Sequence, residues 1–358
     1  MSTPIRARIE KRFPGGPGSQ PFHLDVEFEA ADGVSIFFGP SGAGKTLTLE
    51  SLAGFSKPDA GRVELGEHKL FDSQARLDVP ARDRRCGYLF QQDALFPHMT
   101  VRENVAFGAG NSTARVDELL GEFRIDGLAA RLPREISGGE RQRCAIARTL
   151  ASGPEFLLMD EPAQGLDIVL RRELHAVLRR VRQQFGLPMI LVTHDISEAL
   201  SLGDELFLFS QGRIVQHGPA RATFENPSSA EAARLMGVGA VLSGIVEESN
   251  EQEQRTVIRS GNLRIETPFL PAARSGDNVD FCAHADKVHA APLNHDSSSS
   301  CVLNLEAADE DVDSVHLLFE TGLTATVSRS SYQAAAGAKK WAFDFPDGSI
   351  TLLRTPLA

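Results

Sequence analysis

Four short constellations in this chain combine residue types at spacings that chemistry can use. Gly39-Pro40-Ser41-Gly42-Ala43-Gly44-Lys45-Thr46 fits G-x-x-x-x-G-K-[ST], directly after an apolar run and before an amphipathic segment. Glycines in such a turn let successive backbone N–H groups point inward around phosphate oxygens, and the helix start behind them adds its positive dipole end. Lys45 is placed to reach the β- and γ-phosphates of a nucleotide, and the Thr46 hydroxyl to sit on Mg²⁺.

Asp160 and Glu161 end a second apolar run, Phe156-Leu157-Leu158-Met159. A carboxylate at a strand end beside a phosphate loop can hold Mg²⁺ directly or through water. The next carboxylate points elsewhere and can polarise an attacking water. Ser137-Gly138-Gly139-Glu140-Arg141-Gln142 opens a helical segment with a capping box between Ser137 and Glu140. Two glycines in a first turn cost about 1 kcal/mol each, which makes sense if a phosphate must approach that backbone closely. His194 follows a third apolar run, Met189-Ile190-Leu191-Val192. From its own position it reads equally as a core histidine or a functional one.

These groups need elements to hold them. Short apolar runs alternating with helix-period segments through about residue 218 are the pattern of a mostly parallel sheet covered by helices, where ligands gather at the carboxyl ends of strands. Ser35-Ile36-Phe37-Phe38 and the two later runs read as its buried strands. Between about 93 and 150 the texture is helical: Thr100-Val101-Arg102-Glu103 is a capping box, and Val116, Leu119, Leu120 and Phe123 recur at helical spacing. From about 240 the pattern is β-like, with turns at Ser260-Gly261-Asn262 and Pro346-Asp347-Gly348 and an alternating apolar set Trp341, Phe343, Phe345. The polar stretch Asn294 to Ser300 splits this tail into halves that read as a degenerate repeat.

The 358 residues are 42% hydrophobic and 24% charged, ordinary for a globular chain. Residues 240–358 hold 9 Lys and Arg against 17 Asp and Glu, so −8 of the net −11 lies there. An acidic tail repels nucleic acid, and none is expected as a partner. Cys86, Cys144, Cys282 and Cys301 are scattered without a C-x-x-C pair, which fits a reduced cytosolic compartment and no zinc site. Met1 to Pro14 has no apolar core of a signal peptide. No stretch nears the roughly 20 apolar residues of a membrane span.

The phosphate loop, Ser137–Gln142, Asp160-Glu161 and His194, together and in this order, closely resemble the ABC transporter ATPase family over about residues 5–225. Ser-Gly-Gly-Glu is highly specific for that family. The resemblance implies an α/β P-loop NTPase with an inserted helical subdomain, using ATP and Mg²⁺. It implies a head-to-tail dimer in which Ser137, Gly138 and Gly139 of one copy close over ATP held by Gly39 to Thr46 of the other. Glu161 then activates water, His194 is the switch histidine, and Gln91 matches the glutamine that contacts both Mg²⁺ and the attacking water. Mg²⁺ ligands are thus Thr46, Asp160 and Gln91. Gly165-Leu166-Asp167 matches the end of the family's D-loop, with Gln164 where serine is commoner. Phe13 is the candidate for stacking on adenine, with Phe22 or a core role competing.

Asp78-Val79-Pro80 through Arg85, then Gly87-Tyr88-Leu89-Phe90-Gln91 and Leu95-Phe96-Pro97-His98, look like the importer branch. That implies membrane permease subunits as partners, an extracytoplasmic substrate-binding protein indirectly, and a peripheral position on the cytoplasmic face. Val241-Leu242-Ser243-Gly244-Ile245-Val246 resembles the opening of the small β-rich regulatory units of molybdate importers. The expected division is an ATPase domain over 1–238 and an all-β, OB-like domain over 239–358. Molybdate leads the cargo reading, with sulfate, iron, polyamine and sugar as alternatives. A chromosome-maintenance or repair ATPase would need a long coiled coil between phosphate loop and signature, and only 91 positions separate Thr46 from Ser137. Translation-associated relatives carry two heads, whereas this chain has one signature. A non-catalytic nucleotide sensor is disfavoured by Glu161 and His194.

Overall fold

Each apolar run followed by polar residues becomes a strand whose carboxyl end opens on a loop. The computed structural model describes residues 4–16, 20–90, 94–109, 112–293, 301–335 and 337–353. The chain begins with a hairpin, β1 (Ile5–Phe13) and β2 (Phe22–Ala30), and passes through β3 (Val34–Phe38) into helix α1 (Lys45–Ala53). Then come β4 (Ala60–Leu65), β5 (His68–Asp72), β6 (Leu77–Asp78) and β7 (Cys86–Leu89). Three helices follow, α2 (Val101–Ala109), α3 (Thr113–Glu122) and α4 (Gly138–Ala151). The chain returns through β8 (Phe156–Asp160), α5 (Ile168–Phe185), β9 (Met189–Thr193), α6 (Ile196–Leu202), β10 (Glu205–Ser210) and β11 (Arg213–Pro219).

Two sheets result. An antiparallel one has the order β2-β1-β4-β5-β6, and a mostly parallel one the order β11-β10-β3-β9-β8-β7. β3, β8 and β9 are buried on both faces, which is why they read as continuous apolar runs rather than alternating ones. The two sheets share one core with α1. Ile9, Leu24 and Val26 meet Leu49 and Leu52 of the helix and Phe37, Leu158, Ile190 and Phe209 of the parallel sheet. Phe37 sits at its centre, 4.8 Å from the Phe209 ring and 5.1 Å from Phe28. Truncating so enclosed an aromatic costs about 3–5 kcal/mol.

The helical segment starts where its sequence says it should. Thr100 N–H donates to Glu103 Oε2 at 2.7 Å and Glu103 N–H to Thr100 Oγ1 at 3.2 Å, closing the capping box of α2. Val116, Leu119 and Leu120 are the buried face of α3. Asn104, fully buried, donates to the carbonyls of Phe96, Met99 and Thr100 and accepts from Phe96 N–H, so one side chain shapes the 96–100 turn.

The chain divides into two compact units, residues 1–221 and 222–358. The division lies ahead of the 238/239 boundary taken from sequence because α8 (Ala230–Met236), which follows α7 (Ala220–Glu225), packs on strands of the second unit. Those strands are β12 (Gly239–Asn250), β13 (Arg255–Ser260), β14 (Leu263–Pro268), β15 (Asn278–His284), β16 (His289–Pro292), β17 (Val302–Glu310), β18 (Ser314–Phe319) and β19 (Thr324–Ser328). After helix α9 (Arg329–Ala334) come β20 (Lys340–Asp344) and β21 (Ile350–Leu353).

They form two five-stranded sheets, β14-β13-β12-β15-β21 and β16-β20-β17-β18-β19, around one core. The halves repeat each other: three meandering strands, then a fourth that returns beside the first. The register slips between Val246 and Glu248 in one half and between Leu305 and Ala307 in the other. Each half gives its last strand to the other's sheet, β16 pairing with β20 and β21 with β15. Trp341, Phe343 and Phe345 are buried in the shared core. The polar stretch between the halves, 294–300, lies outside the described residues. Among the described residues no helix is long and apolar enough to cross a membrane.

Candidate functional site

The loop between β3 and α1 takes a shape only glycine permits at two points. Gly39 has φ 150°, and a Cβ there would lie 2.3 Å from the Phe209 carbonyl oxygen. Gly44 has φ 102°, and its Cβ would meet Leu24 Cδ1 at 2.7 Å. Both are held against packed structure in a conformation closed to other residues. Gly44 is also the N-cap of α1 and brings no side chain to cap it. The helix therefore begins with its amides and dipole end free of a side-chain acceptor.

Lys45 is 4% exposed and turns back on its own loop, donating to the carbonyls of Gly39 and Pro40 at 2.8 Å each. Burial lowers its pKa, and the charges of Glu161 and Asp160 only partly offset that. Thr46, the next residue, donates its hydroxyl to Asp160 Oδ1 at 3.1 Å across 114 positions of sequence. Asp160 closes β8, is 8% exposed, and has its pKa raised mainly by burial, with Glu161 and Glu50 adding and Thr46 and Lys45 opposing. An exposed hydroxyl paired with a buried carboxylate whose charged form is disfavoured fits a hard divalent cation shared with phosphate oxygens. Among the described residues no three His, Cys, Asp or Glu side chains cluster into an all-protein metal cage.

Glu161 has φ 45°, a left-handed conformation unusual for a residue with a side chain. Its N–H is tied to the Val192 carbonyl at 3.0 Å. Its Oε2 is buried and lies 3.2 Å from His194 Nδ1, close but not aligned as a hydrogen bond. Backbone strain of this kind costs about 1–3 kcal/mol and gathers at functional sites. His194 itself is 57% exposed, so the core-histidine reading does not apply.

The second glycine motif starts α4. Ser137 Oγ accepts from Glu140 N–H at 3.3 Å while Ser137 N–H donates to Glu140 Oε2 at 2.7 Å, closing the capping box. Gly139 has a reason inside the chain as well: a Cβ would lie 2.7 Å from Leu170 Cδ2 in the first turn of α5. Gly138 has room around it. Asp167 is the N-cap of α5, its Oδ1 accepting from Leu170 N–H at 2.9 Å. Gln142 donates to the Pro162 carbonyl and so joins α4 to the segment after Glu161. Phe13 is 42% exposed at the end of β1, 6.4 Å from the Phe22 ring, whose edge in turn borders Gly44. Gln91 lies outside the described residues.

Three positioning groups escaped sequence reading. Arg84, 1% exposed, donates to the Ser51 and Leu52 carbonyls at the end of α1, to Val79 O, and to Asp78. Nothing local marks it as buried. Asp195 caps α6 through Glu198 N–H and pairs with Arg171 of α5. The Asp195-x-x-Glu198 spacing was a legible N-cap signal; its Arg171 partner was not.

The family model "ABC transporter" matches residues 23–164. A molybdenum import ATP-binding protein of Rhizobium meliloti is 36% identical over 276 residues, 75% of each chain. A sulfate/thiosulfate import ATP-binding protein of Agrobacterium fabrum is 41% identical over 231 residues, 62% of this chain and 66% of its own. Among solved structures, an ATP-binding cassette described as a dimer in a post-hydrolysis state with ADP and Pi superposes with TM-score 0.51 at 27% identity. That match covers 61% of this chain and 99% of the other.

Proposed function

Because the chain belongs to the ABC transporter family and is an ATPase of that family, we propose that it powers an importer from the cytoplasmic face of the cell membrane. The observation that carries this reading is the meeting of Thr46 with Asp160 at 3.1 Å and of Glu161 with His194 at 3.2 Å at one edge of the parallel sheet, where the phosphate loop also opens.

ATP binds with its phosphates in the Gly39–Thr46 loop, and Lys45 exchanges its two carbonyl partners for phosphate oxygens. Thr46 and Asp160 would hold Mg²⁺, with Gln91 as the expected third group, and the ion would supply charge neutralisation along the phosphates. Glu161 accepts a proton from the attacking water, its carboxylate lying beside His194. His194, beside Glu161, stabilises the γ-phosphate. Phe13 stacks on adenine, supported by its exposure beside Phe22, the ring that borders Gly44.

A second copy completes the site. Ser137 and Gly139 of one subunit close over ATP held by the other, and Asp167 at the start of α5 lies on the same side. The dimeric cassette with ADP and Pi supports this arrangement. Permease subunits and, indirectly, an extracytoplasmic binding protein complete the transporter. Molybdate is the leading cargo, supported by the molybdenum import relative; sulfate follows from the sulfate/thiosulfate relative, and iron, polyamine or sugar stand behind them.

Glu161→Gln tests the core of this reading. The variant keeps the shape of the site and loses the proton acceptor. Hydrolysis should fall by about 10²–10⁴-fold, while ATP still binds and a dimer accumulates on gel filtration. A Glu161→Gln protein hydrolysing at the wild-type rate would remove Glu161 from the mechanism.

A further inference from the structure

His194 is exposed, so its own packing does not fix the ring; the residue after it fixes the backbone. Asp195 N–H donates to Thr193 Oγ1 at 3.0 Å, Asp195 Oδ1 accepts from Glu198 N–H at 3.1 Å, and Oδ2 pairs with the Arg171 guanidinium of α5. One turn further along both helices His175 Nε2 lies 3.3 Å from Glu198 Oε1, and Ser201 Oγ lies 3.2 Å from His175 Nδ1. Arg171 and His175 are four apart on α5, Asp195 and Glu198 three apart at α6, so each pair shares a helix face. The two helices are therefore joined by one hydrogen-bonded ion pair, Arg171–Asp195, and beside it a His175–Glu198 contact that is close but not aligned as a hydrogen bond.

Apolar side chains would hold α5 to α6 at less cost, since desolvating ionisable groups offsets much of their attraction. His175 and Glu198 are 8% and 3% exposed, so the cost is real here. What a polar rung adds is direction. The planar guanidinium donates only within its own plane, and so constrains the orientation of Asp195 and of the 193–195 turn.

We propose that Arg171 is a positioning residue for His194. Acting through Asp195, it holds the turn so that the imidazole stays against Glu161. The proposal rests on the reading of His194 as a group acting at the γ-phosphate. Arg171 itself does not touch the nucleotide.

The test is a mutant cycle under single-turnover conditions, comparing Arg171→Met, Arg171→Lys and Asp195→Asn, each alone and combined with His194→Ala. Arg171→Met should lower the hydrolysis rate by about ten- to a hundredfold, the scale on which misplaced catalytic groups act. ATP affinity should change by less than about twofold, because the ground-state contacts are untouched. Arg171→Lys, which keeps the charge, should recover part of the rate. Asp195→Asn keeps an oxygen to cap α6 and gives up the ion pair, so it should follow Arg171→Met; it carries the cycle if Arg171→Met fails to fold. In the His194→Ala background neither change should slow hydrolysis further, because residues acting as a unit are non-additive. A loss carried in full into that background overturns the proposal, as does a rate loss matched by a smaller folded fraction. Wild-type hydrolysis by His194→Ala alone would instead sink the reading of His194, and the proposal with it.

Discussion

Replacing Lys45 by methionine separates the lysine's structural part from its part in binding phosphate. The ammonium makes two hydrogen bonds of 2.8 Å to the carbonyls of its own loop. Bonds from a charged group contribute about 1.5–3 kcal/mol each, and desolvating the ammonium costs several kcal/mol in the other direction. The direction of the Lys45 shift says that burial outweighs the attraction of Glu161 and Asp160. The hydrogen bonds and the cost of burial oppose each other, and the apo Tm should move by no more than about 4 °C, equivalent to about 1 kcal/mol in a domain of this size. ATP binding should lose about 3 kcal/mol, on the order of a hundredfold in Kd. At ATP equal to about 100 times the wild-type Kd, linkage stabilises the wild type by about 2.7 kcal/mol and the variant by about 0.4 kcal/mol. The ATP-induced rise in Tm should then be about 5–10 °C for the wild type and about 1 °C for Lys45→Met. Thermal melts of both proteins with and without Mg-ATP measure all four values. An apo variant melting far below the wild type would make Lys45 a structural keystone, and an undiminished ATP shift would remove it from the phosphate site.

Asp160→Asn should stabilise the Mg²⁺-free protein at neutral pH while abolishing hydrolysis. The folded pKa of Asp160 lies above the ordinary 3.8, so its charge is carried at a cost that disappears as pH falls through the folded value. The advantage of the variant in urea denaturation should be widest near neutrality and narrow toward acid; a pH-independent gap would refute it. A chain ended after Arg221 should stay folded with basal ATPase activity. One ended after Gly237 should melt no higher and aggregate sooner, because Ala232, Ala233 and Met236 of α8 lose the strands that bury them. The reverse ranking, from melts and light scattering, would return the boundary to 238/239.

Much of the site was written locally. A glycine turn is defined by the residues within it, so Gly39 to Thr46 could be assigned from sequence, and the left-handed Gly44 and uncapped helix start followed. Capping boxes at Thr100–Glu103 and Ser137–Glu140 were equally legible, since both partners lie within one turn. The glycines of the second motif were only half understood. Sequence pointed to close approach by a phosphate, whereas Gly139 also has to clear Leu170. That contact depends on how α4 and α5 pack, which no spacing records.

The tail shows the same limit. Its alternation marked strands and its two halves a repeat, but the exchange of β16 and β21 between sheets is invisible until the halves are placed together. The reach of Arg171 to Asp195 and of Arg84 to the end of α1 likewise joins segments 24 and about 32 residues apart through helix and loop packing. The candidate site at the strand ends is the clearest case. The types of Thr46, Asp160, Glu161 and His194 were chosen by the sequence, each shortly after one of three apolar runs. Their meeting was decided by strand order: β9 lies between β3 and β8, paired in parallel with both. Parallel neighbours deliver their carboxyl ends to one edge, and that brings a hydroxyl and a carboxylate 114 positions apart to within 3.1 Å.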